Sequence, residues 1–302
     1  MDNWLPGVIS KLLTSYKECG GINHLNGVNL PSKQAVEELT QRLLQLLFPG
    51  FLSEKALSES DIPAVAEDWI RDVRARLLTE ITKCVDFCPV KGETADSITE
   101  KFLISLVGAR RVLQTDVEAA FEGDPAARSI EEVMLSYPGI EAIAVQRMAH
   151  VLHNLGVALI PRIMTEWAHA RSGIDIHPGA TIGTHFFIDH GTGVVIGETT
   201  VIGDHVRIYQ GVTLGGKSVA KHIDRDDHGK ALSGKRHPTI GDWVTIYANA
   251  TILGGDTTIG ANSIVGGNVW LTHSVPPDSI VSLEAQQVSI RSKKAQSSDW
   301  EI

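Results

Sequence analysis

His190 is the first candidate for chemistry, because aspartates lie near it in the sequence. Asp189 and His190 are adjacent, and Asp175 precedes His190 by 15 residues. A carboxylate next to a histidine fixes the tautomer of the imidazole and stabilises the imidazolium, as a general base requires. No serine or cysteine stands beside His190 as a nucleophile. The residues therefore predict a general base, His190, supported by Asp175, and direct group transfer without a covalent intermediate.

A basic loop is the second candidate for chemistry. Residues 215–238 carry a local excess of positive charge, although the net charge of the chain is −9. Such a loop suits an anionic ligand such as coenzyme A, whose phosphates attract lysine and arginine. A solvated surface loop without a ligand remains the alternative. The basic residues are Lys217, Lys221, Arg225, Lys230, Lys235 and Arg236.

The C-terminal half repeats an aliphatic residue every six positions, which is the period of a β-helix. Each hexapeptide forms one short strand and one turn, and three hexapeptides close a triangular coil whose aliphatic residues stack inward. We therefore predict a left-handed parallel β-helix over residues 173–284. The aliphatic positions are Ile176, Ile182, Ile188, Ile196, Ile202, Ile208, Leu214, Ile240, Ile246, Ile252, Ile259, Val265 and Leu271.

Interruptions of this repeat are the places where chemistry is expected, because the regular coils only build the scaffold. The first interruption contains Asp189 and His190, and the longest ends in Arg236 and His237. A third interruption is a single extra residue after Ile252.

The N-terminal half shows the three- and four-residue spacing of amphipathic helices. The fold class is therefore α+β and multidomain, with an all-α domain over residues 1–172 followed by the β-helix. A polar, flexible tail is expected over 285–302. Helices are predicted over about 32–47, 65–81, 97–121, 140–155 and 162–170.

Bulk composition excludes several classes of protein. The chain has 302 residues, of which 43% are hydrophobic and 21% charged, as in globular proteins. A net charge of −9 argues against nucleic-acid binding. No apolar stretch is long enough to span a membrane, and no signal peptide is recognisable. Three cysteines, an odd and low number, indicate the reducing cytoplasm.

Several segments together resemble the serine acetyltransferase family, in unbroken order from Asp175 to about Pro277. The helical N-terminal half also fits this family, and Asp124-Pro125-Ala126 resembles its serine-contacting segment. The matching segments are Asp175-Ile176-His177-Pro178, Asp189-His190-Gly191-Thr192-Gly193, Gly197-Glu198-Thr199, Gln210-Gly211-Val212-Thr213-Leu214-Gly215-Gly216 and Arg236-His237-Pro238.

The resemblance implies a reaction of L-serine with acetyl-CoA, in which acetyl-CoA is a co-substrate and no metal takes part. His190 would deprotonate the serine hydroxyl, which attacks the thioester and gives O-acetyl-L-serine, the first step of cysteine biosynthesis. The implied serine-binding residues are Asp124, Pro125, Asp189, Arg236 and His237. The residues expected near coenzyme A are Gly216, Ala248 and Lys217.

The family resemblance also implies partners. Its members form trimers through the β-helix, with active sites between subunits, and trimers pair through the helical domain. A C-terminal isoleucine, here Ile302, would insert into O-acetylserine sulfhydrylase. One departure concerns coenzyme A, because residues 280–285 read Ile-Val-Ser-Leu-Glu-Ala where many members have Gly-x-Pro-Ala.

Three alternatives use the same scaffold. One is another hexapeptide acyltransferase with homoserine or a sugar as acceptor. A second is a β-helix carbonic anhydrase, whose zinc would be bound by histidines spaced like His185 and His190. A third is a binding scaffold without catalysis.

Overall fold

The computed structural model describes residues 4–53, 56–217 and 234–284. Its N-terminal part is helical, with one short 3-10 turn at Gly20–Ile22. The helices are α1 (Leu5–Glu18), α2 (Lys33–Leu47), α3 (Ile62–Phe87), α4 (Ala95–Gly123), α5 (Ile130–Ser136), α6 (Pro138–Asn154) and α7 (Ile160–Ser172).

The C-terminal part consists of short strands that wind into three parallel sheets. The strands are β1 (Asp175–Ile176), β2 (Thr181–Ile182), β3 (Phe187–Ile188), β4 (Val195–Ile196), β5 (Val201–Ile202), β6 (Arg207–Ile208), β7 (Thr213–Gly215), β8 (Thr239–Ile240), β9 (Thr245–Ile246), β10 (Thr251–Leu253), β11 (Thr258–Ile259), β12 (Ile264–Val265), β13 (Trp270–Leu271) and β14 (Ile280–Val281).

From β1 to β13 every third strand belongs to the same sheet, which is the topology of a β-helix, and β14 then pairs with β12. The first sheet has the order β1-β4-β7-β10-β13, the second β2-β5-β8-β11, and the third β3-β6-β9-β12-β14. We call the turns between the third and first sheets corner 1, those between the first and second corner 2, and those between the second and third corner 3. The predicted α+β fold with a left-handed β-helix is confirmed.

The hexapeptide register explains why the coils stack. Ile176 pairs with Ile196, and Ile196 pairs with Leu214, so aliphatic side chains lie directly above one another. These side chains are almost completely buried. Each coil thus covers the apolar surface of the next, as in other solenoids.

Helices form where the sequence supplies a cap and an apolar stripe. The Ser32 hydroxyl caps α2 by accepting a hydrogen bond from the Ala35 N–H at 3.3 Å. Val36, Leu39 and Leu43 then bury one face of this helix. Sequence analysis missed α1 and α5, and α1 buries none of its residues. Among the described helices, none is long and apolar enough to cross a membrane.

A buried ion pair joins the helices to the first coil of the β-helix. The Arg147 guanidinium on α6 binds the Asp116 carboxylate on α4 through Nε and Nη2, at 2.6 and 2.8 Å. Arg147 also donates to the carbonyl oxygens of Ile182 and Gly183. Oδ1 of Asp116, which also binds Nη2 of Arg147, accepts the Phe186 N–H at 2.9 Å. One pair of side chains therefore holds α4 and α6 against β2 and the β2–β3 turn.

Loss of this pair is expected to destabilise the protein strongly. Asp116→Ala leaves the Arg147 charge buried without a partner, which costs about 3–5 kcal/mol. Equilibrium urea unfolding measures the loss in the free energy of unfolding. The control is Glu141→Ala, which breaks the more exposed Glu141–Arg171 pair and should cost under about 1 kcal/mol. Equal losses in the two variants would contradict a special role for Asp116.

Candidate active site

His190 lies in the corner 1 turn between β3 and β4, with its side chain 70% exposed. Its backbone is left-handed, with φ 58°, which is uncommon for a residue other than glycine. Its Nδ1 lies 3.6 Å from Oδ1 of Asp189. The Asp189 N–H is fixed by the Ile208 carbonyl of the next coil at 2.9 Å. The turn therefore presents the imidazole to solvent beside a half-buried carboxylate.

Asp124 lies at the C-terminal end of α4 and joins the same corner. Its Oδ1 accepts the Ala126 N–H at 2.8 Å, and its Oδ2 accepts the Tyr137 hydroxyl at 2.5 Å. These hydrogen bonds lower the pKa of the Asp124 carboxyl, and the positive charges of His190 and Arg207 lower it further. Pro125 follows at the exposed start of the α4–α5 connection.

Arg207 completes this group, which we call the His190 cluster (Asp124, Tyr137, Asp189, His190 and Arg207). Its guanidinium carbon lies 5.3 Å from the centre of the Phe187 ring. Gly123 makes this packing possible, because a side chain there would collide with Arg207 and Phe187. The two carboxylates can bind a cationic group of a ligand, and the accessible imidazole beside them can accept a proton from a neighbouring group of the same ligand.

A second cluster lies at corner 2, which we call the Arg236 cluster (Glu198, Thr199, Arg236 and His237). The Arg236 guanidinium forms an ion pair with Glu198. The Thr199 hydroxyl oxygen accepts the backbone N–H groups of Arg236 and His237 at 2.8 and 3.0 Å. Residues 236 and 237 are thereby fixed to the β4–β5 turn at the end of the basic loop.

The tautomer of His237 follows from these contacts. Nδ1 of His237 accepts the Thr199 N–H at 3.1 Å and lies 2.9 Å from the Thr199 hydroxyl. Because that hydroxyl oxygen already accepts two N–H groups, its own hydrogen points to Nδ1, and the ring proton must be on Nε2. Burial lowers the pKa of His237. A neutral Nε2–H beside an arginine suits the binding of a carboxylate.

A cavity of about 570 Å³ adjoins the Arg236 cluster, between the helices and the first coil. His177 lies in its wall, and its Nδ1 accepts the Gly179 N–H at 3.0 Å. Burial lowers the pKa of His177 to about 4. Leu159 has a left-handed φ of 65°, a strained value for a branched residue. The cavity is lined by residues that include Lys91, His153, Leu159, Arg162, His177 and Glu198.

One chain places its predicted site residues at two different corners. Asp124, Asp189 and His190 meet at corner 1, whereas Arg236 and His237 lie at corner 2, and strand β4 separates the two. This division was not predicted from the sequence, because the corner at which a residue lies depends on the register of the coils and not on the order of the motifs.

Asp175 is in neither cluster. It belongs to β1, pairs with Val195, and lies 3.3 Å from the Arg162 guanidinium, near Glu166 and His169. The carboxylates beside His190 in the described chain are those of Asp189 and Asp124, and the pairing of Asp175 with His190 stays a prediction.

The residues expected near coenzyme A follow the same division. Gly216 and Lys217 follow β7 at the exposed side of corner 2, where the Lys217 ammonium pairs with Asp256 at 2.7 and 2.9 Å. Ala248 lies at corner 1, two coils from His190, because Ile188, Ile208 and Ile246 are in register. Lys221, Arg225 and Lys230 lie outside the described residues.

Two functional contacts were not found from the sequence. Tyr137 binds Asp124 across a helix boundary, and Arg207 occupies an outward strand position that usually faces solvent. A weak signal for the first is Gly139, since a side chain there would lie 2.6 Å from the Ile188 carbonyl oxygen. Gly197 gives a similar signal, because only glycine leaves room for the His237 ring.

A hexapeptide β-helix with an exposed histidine beside an aspartate at one corner and an arginine–histidine pair at another has the features of a hexapeptide-repeat acyltransferase. No protein-family model matches the chain. A plasmid-encoded serine acetyltransferase of Synechococcus elongatus is 45% identical over 282 residues, covering 89% of this chain and 85% of the relative. The Mycobacterium tuberculosis serine acetyltransferase is 46% identical over 169 residues, covering 56% of this chain and 68% of the relative.

Solved structures give the same assignment. Serine acetyltransferase isoform 3 of Entamoeba histolytica, in complex with cysteine, superposes with a TM-score of 0.70 at 33% identity and 98% coverage of both chains. The Neisseria gonorrhoeae serine acetyltransferase in complex with serine gives a TM-score of 0.54 at 28% identity, covering 88% of this chain and 100% of the other.

The chain therefore belongs to the serine acetyltransferase family, and it is an acyltransferase. Family membership decides against the homoserine or sugar acceptor, the non-catalytic scaffold and the carbonic anhydrase. His185, the other histidine of that last alternative, stacks on His205 at corner 3, with ring centres 4.0 Å apart, whereas His190 lies at corner 1.

The lowered pKa of His177 predicts how stability depends on pH. The unfolded histidine has a pKa of about 6.5, so between pH 4 and 6.5 the native state binds fewer protons. This stabilisation is complete above pH 6.5 and is lost as the pH falls towards 4. Because the ring is only partly buried, we expect this contribution to the free energy of unfolding to be roughly 1–2 kcal/mol.

His177→Asn should reduce this pH dependence of the free energy of unfolding, measured by urea titration at pH 4.5 and 7.5. His273→Asn, at an exposed histidine of the same domain, is the control. An unchanged dependence in His177→Asn would contradict the assignment of a buried neutral imidazole.

Proposed function

We propose that the enzyme transfers the acetyl group of acetyl-CoA to the hydroxyl of L-serine, with His190 as general base. One observation carries the proposal: acidic side chains surround an accessible histidine at corner 1, and an arginine with a neutral histidine lies at corner 2. A zwitterionic amino acid needs both kinds of group.

The serine zwitterion fits these charges in one orientation. Asp124 and Asp189 attract its ammonium, while Arg236 and Nε2–H of His237 bind its carboxylate. The hydroxyl then lies between them, near His190. The serine complex of the Neisseria gonorrhoeae relative supports an amino-acid site of this kind.

The chemical step follows from the orientation of His190. Nδ1 faces Asp189, which leaves Nε2 to accept the hydroxyl proton. The serine oxygen attacks the thioester carbonyl, the new C–O bond forms, and the C–S bond breaks. The proton held by His190 passes to the departing thiolate, and the products are O-acetyl-L-serine and coenzyme A. This reaction begins cysteine biosynthesis.

A complete site requires two chains, because corners 1 and 2 of one chain are separated by the first sheet. In a cyclic trimer, corner 1 of one subunit can face corner 2 of the next. Ala248 and Gly216 would then face each other across the same cleft and line the pantetheine arm of acetyl-CoA. The Lys217 ammonium would have to break its ion pair with Asp256 to reach a phosphate of acetyl-CoA. We propose a homotrimer on this basis, with Asp175 reaching His190 from the neighbouring chain.

Pairing of trimers is a further part of the proposal. Helix α1 exposes Leu5, Ile9, Leu12 and Leu13 along its length. An apolar stripe of this size is usually covered in the assembled protein. We propose that it contacts a second trimer.

Two further predictions concern the C-terminal residue and the cellular compartment. Residues 285–302 lie outside the described part of the chain, and docking of Ile302 into O-acetylserine sulfhydrylase remains a proposal. We also place the enzyme in the cytoplasm. All three cysteines fall within the described residues and none forms a disulfide, which is compatible with a reducing compartment.

The activity is tested by release of coenzyme A thiol from acetyl-CoA in the presence of L-serine, L-homoserine and glucosamine. L-Serine should be the preferred acceptor. Thiol release with homoserine or glucosamine, but not with L-serine, would refute the proposal.

His190→Ala should lower kcat by roughly 100- to 10,000-fold, because the general base is lost. His273→Ala removes an exposed histidine of the same domain and should keep wild-type activity. A near-normal kcat in His190→Ala would remove His190 from its proposed role.

A further inference from the structure

Tyr137 makes the closest contact to a predicted substrate-binding carboxylate. Its hydroxyl donates to Oδ2 of Asp124 at 2.5 Å, while Oδ1 of Asp124 accepts the Ala126 N–H at 2.8 Å. Both carboxylate oxygens are thus held from behind, one by a phenol and one by the backbone. Each oxygen keeps a second lone pair for a ligand.

The fold fixes Tyr137 independently of Asp124. Tyr137 is the N-cap of α6, with φ −86° and ψ 114°, and Pro138 follows as the first helical residue. Gly139 packs so closely on β3 that a side chain would lie 2.6 Å from the Ile188 carbonyl oxygen. Since Ile188 directly precedes Asp189, the start of α6 is held against the His190 turn.

The hydrogen bond also fixes the charge of both groups. The Asp124 carboxylate raises the pKa of the Tyr137 hydroxyl to about 12, so this hydroxyl remains a donor. In return, the phenol lowers the pKa of Asp124, which stays ionised. The carboxylate is thereby oriented and negatively charged before any ligand arrives, which reduces the entropy lost on binding.

We propose that Tyr137 is a positioning residue that holds Asp124 for the ammonium group of the acceptor. The inference rests on the proposed function, because Asp124 acts on substrate only if the acceptor is an amino acid. Tyr137 itself does not touch the reacting atoms. Its removal should therefore weaken recognition of the ammonium and leave the transfer step intact.

The test is Tyr137→Phe, which removes only the hydroxyl. We expect KM for L-serine to rise about tenfold, since hydrogen bonds to charged groups are among the stronger ones. The kcat should change less than about threefold, and KM for acetyl-CoA should not change. Tyr16→Phe, at an exposed tyrosine of α1, is the matched control.

An acceptor without the ammonium separates positioning from a merely structural role. With 3-hydroxypropanoate, Tyr137→Phe and wild type should have the same kcat/KM, because Asp124 has no ammonium to bind. Adding Tyr137→Phe to Asp124→Asn should likewise give no further loss with L-serine. Equal losses for both acceptors, or additive losses in the double variant, would overturn the proposal.

Wild-type enzyme in the same assay distinguishes the two levels of inference. A wild type that does not acetylate L-serine overturns the proposed function and the role of Tyr137 with it. An active wild type together with an unchanged KM for L-serine in Tyr137→Phe overturns only the role of Tyr137.

Discussion

The buried ion pair between Asp116 and Arg147 is the contact on which the geometry of the site depends. It joins α4, α6 and the first coil at a point where the Asp116 side chain is fully buried and the Arg147 side chain is only 9% exposed. Asp124 lies eight residues further along α4, about 12 Å of helix. Tyr137 lies at the start of the helix that carries Arg147. With the pair in place, both helix ends converge on the Asp189–His190 turn.

The parts of this protein that repeat were readable from the sequence. Ile176, Ile196 and Leu214 indicate the coils because they belong to the six-residue repeat of aliphatic side chains. His190 could be recognised because it lies where that repeat is interrupted. The amphipathic helix α2 was readable for the same reason. Helix α1 has the same apolar spacing in Leu5, Ile9, Leu12 and Leu13 but was not predicted, and none of its residues is buried within the described chain.

Contacts between segments far apart in the chain could not be predicted from the sequence. We placed Asp175 near His190 on the assumption of an 18-residue coil, and this contact stays a prediction because the interruption lengthens the first coil of the β-helix. The strand partner of Asp175 is Val195, five residues after His190. Tyr137 and Arg207 belong to no motif, because Tyr137 contacts Asp124, and the charge of Arg207 acts on Asp124, only after the helices and the β-helix have packed. Their roles depend on tertiary geometry that no local pattern encodes.

A β-helix also limits what a single chain can do. Each coil has three corners, and side chains at different corners point in different directions. The acidic group around His190 and the basic group around Arg236 are therefore complementary in charge, yet separated within one subunit. In the proposed homotrimer, corner 1 of one subunit faces corner 2 of the next, so that activity would depend on trimer formation.

Mixed trimers test this central claim most directly. His190→Ala and Arg236→Ala should each be nearly inactive, because each damages one side of every cleft. When the two variants are co-assembled in equal amounts, about a quarter of the clefts should combine an intact His190 with an intact Arg236 from the neighbouring chain. We expect roughly this fraction of wild-type activity to return. Activity no greater than that of the separate variants, in trimers shown to contain both chains, would contradict it.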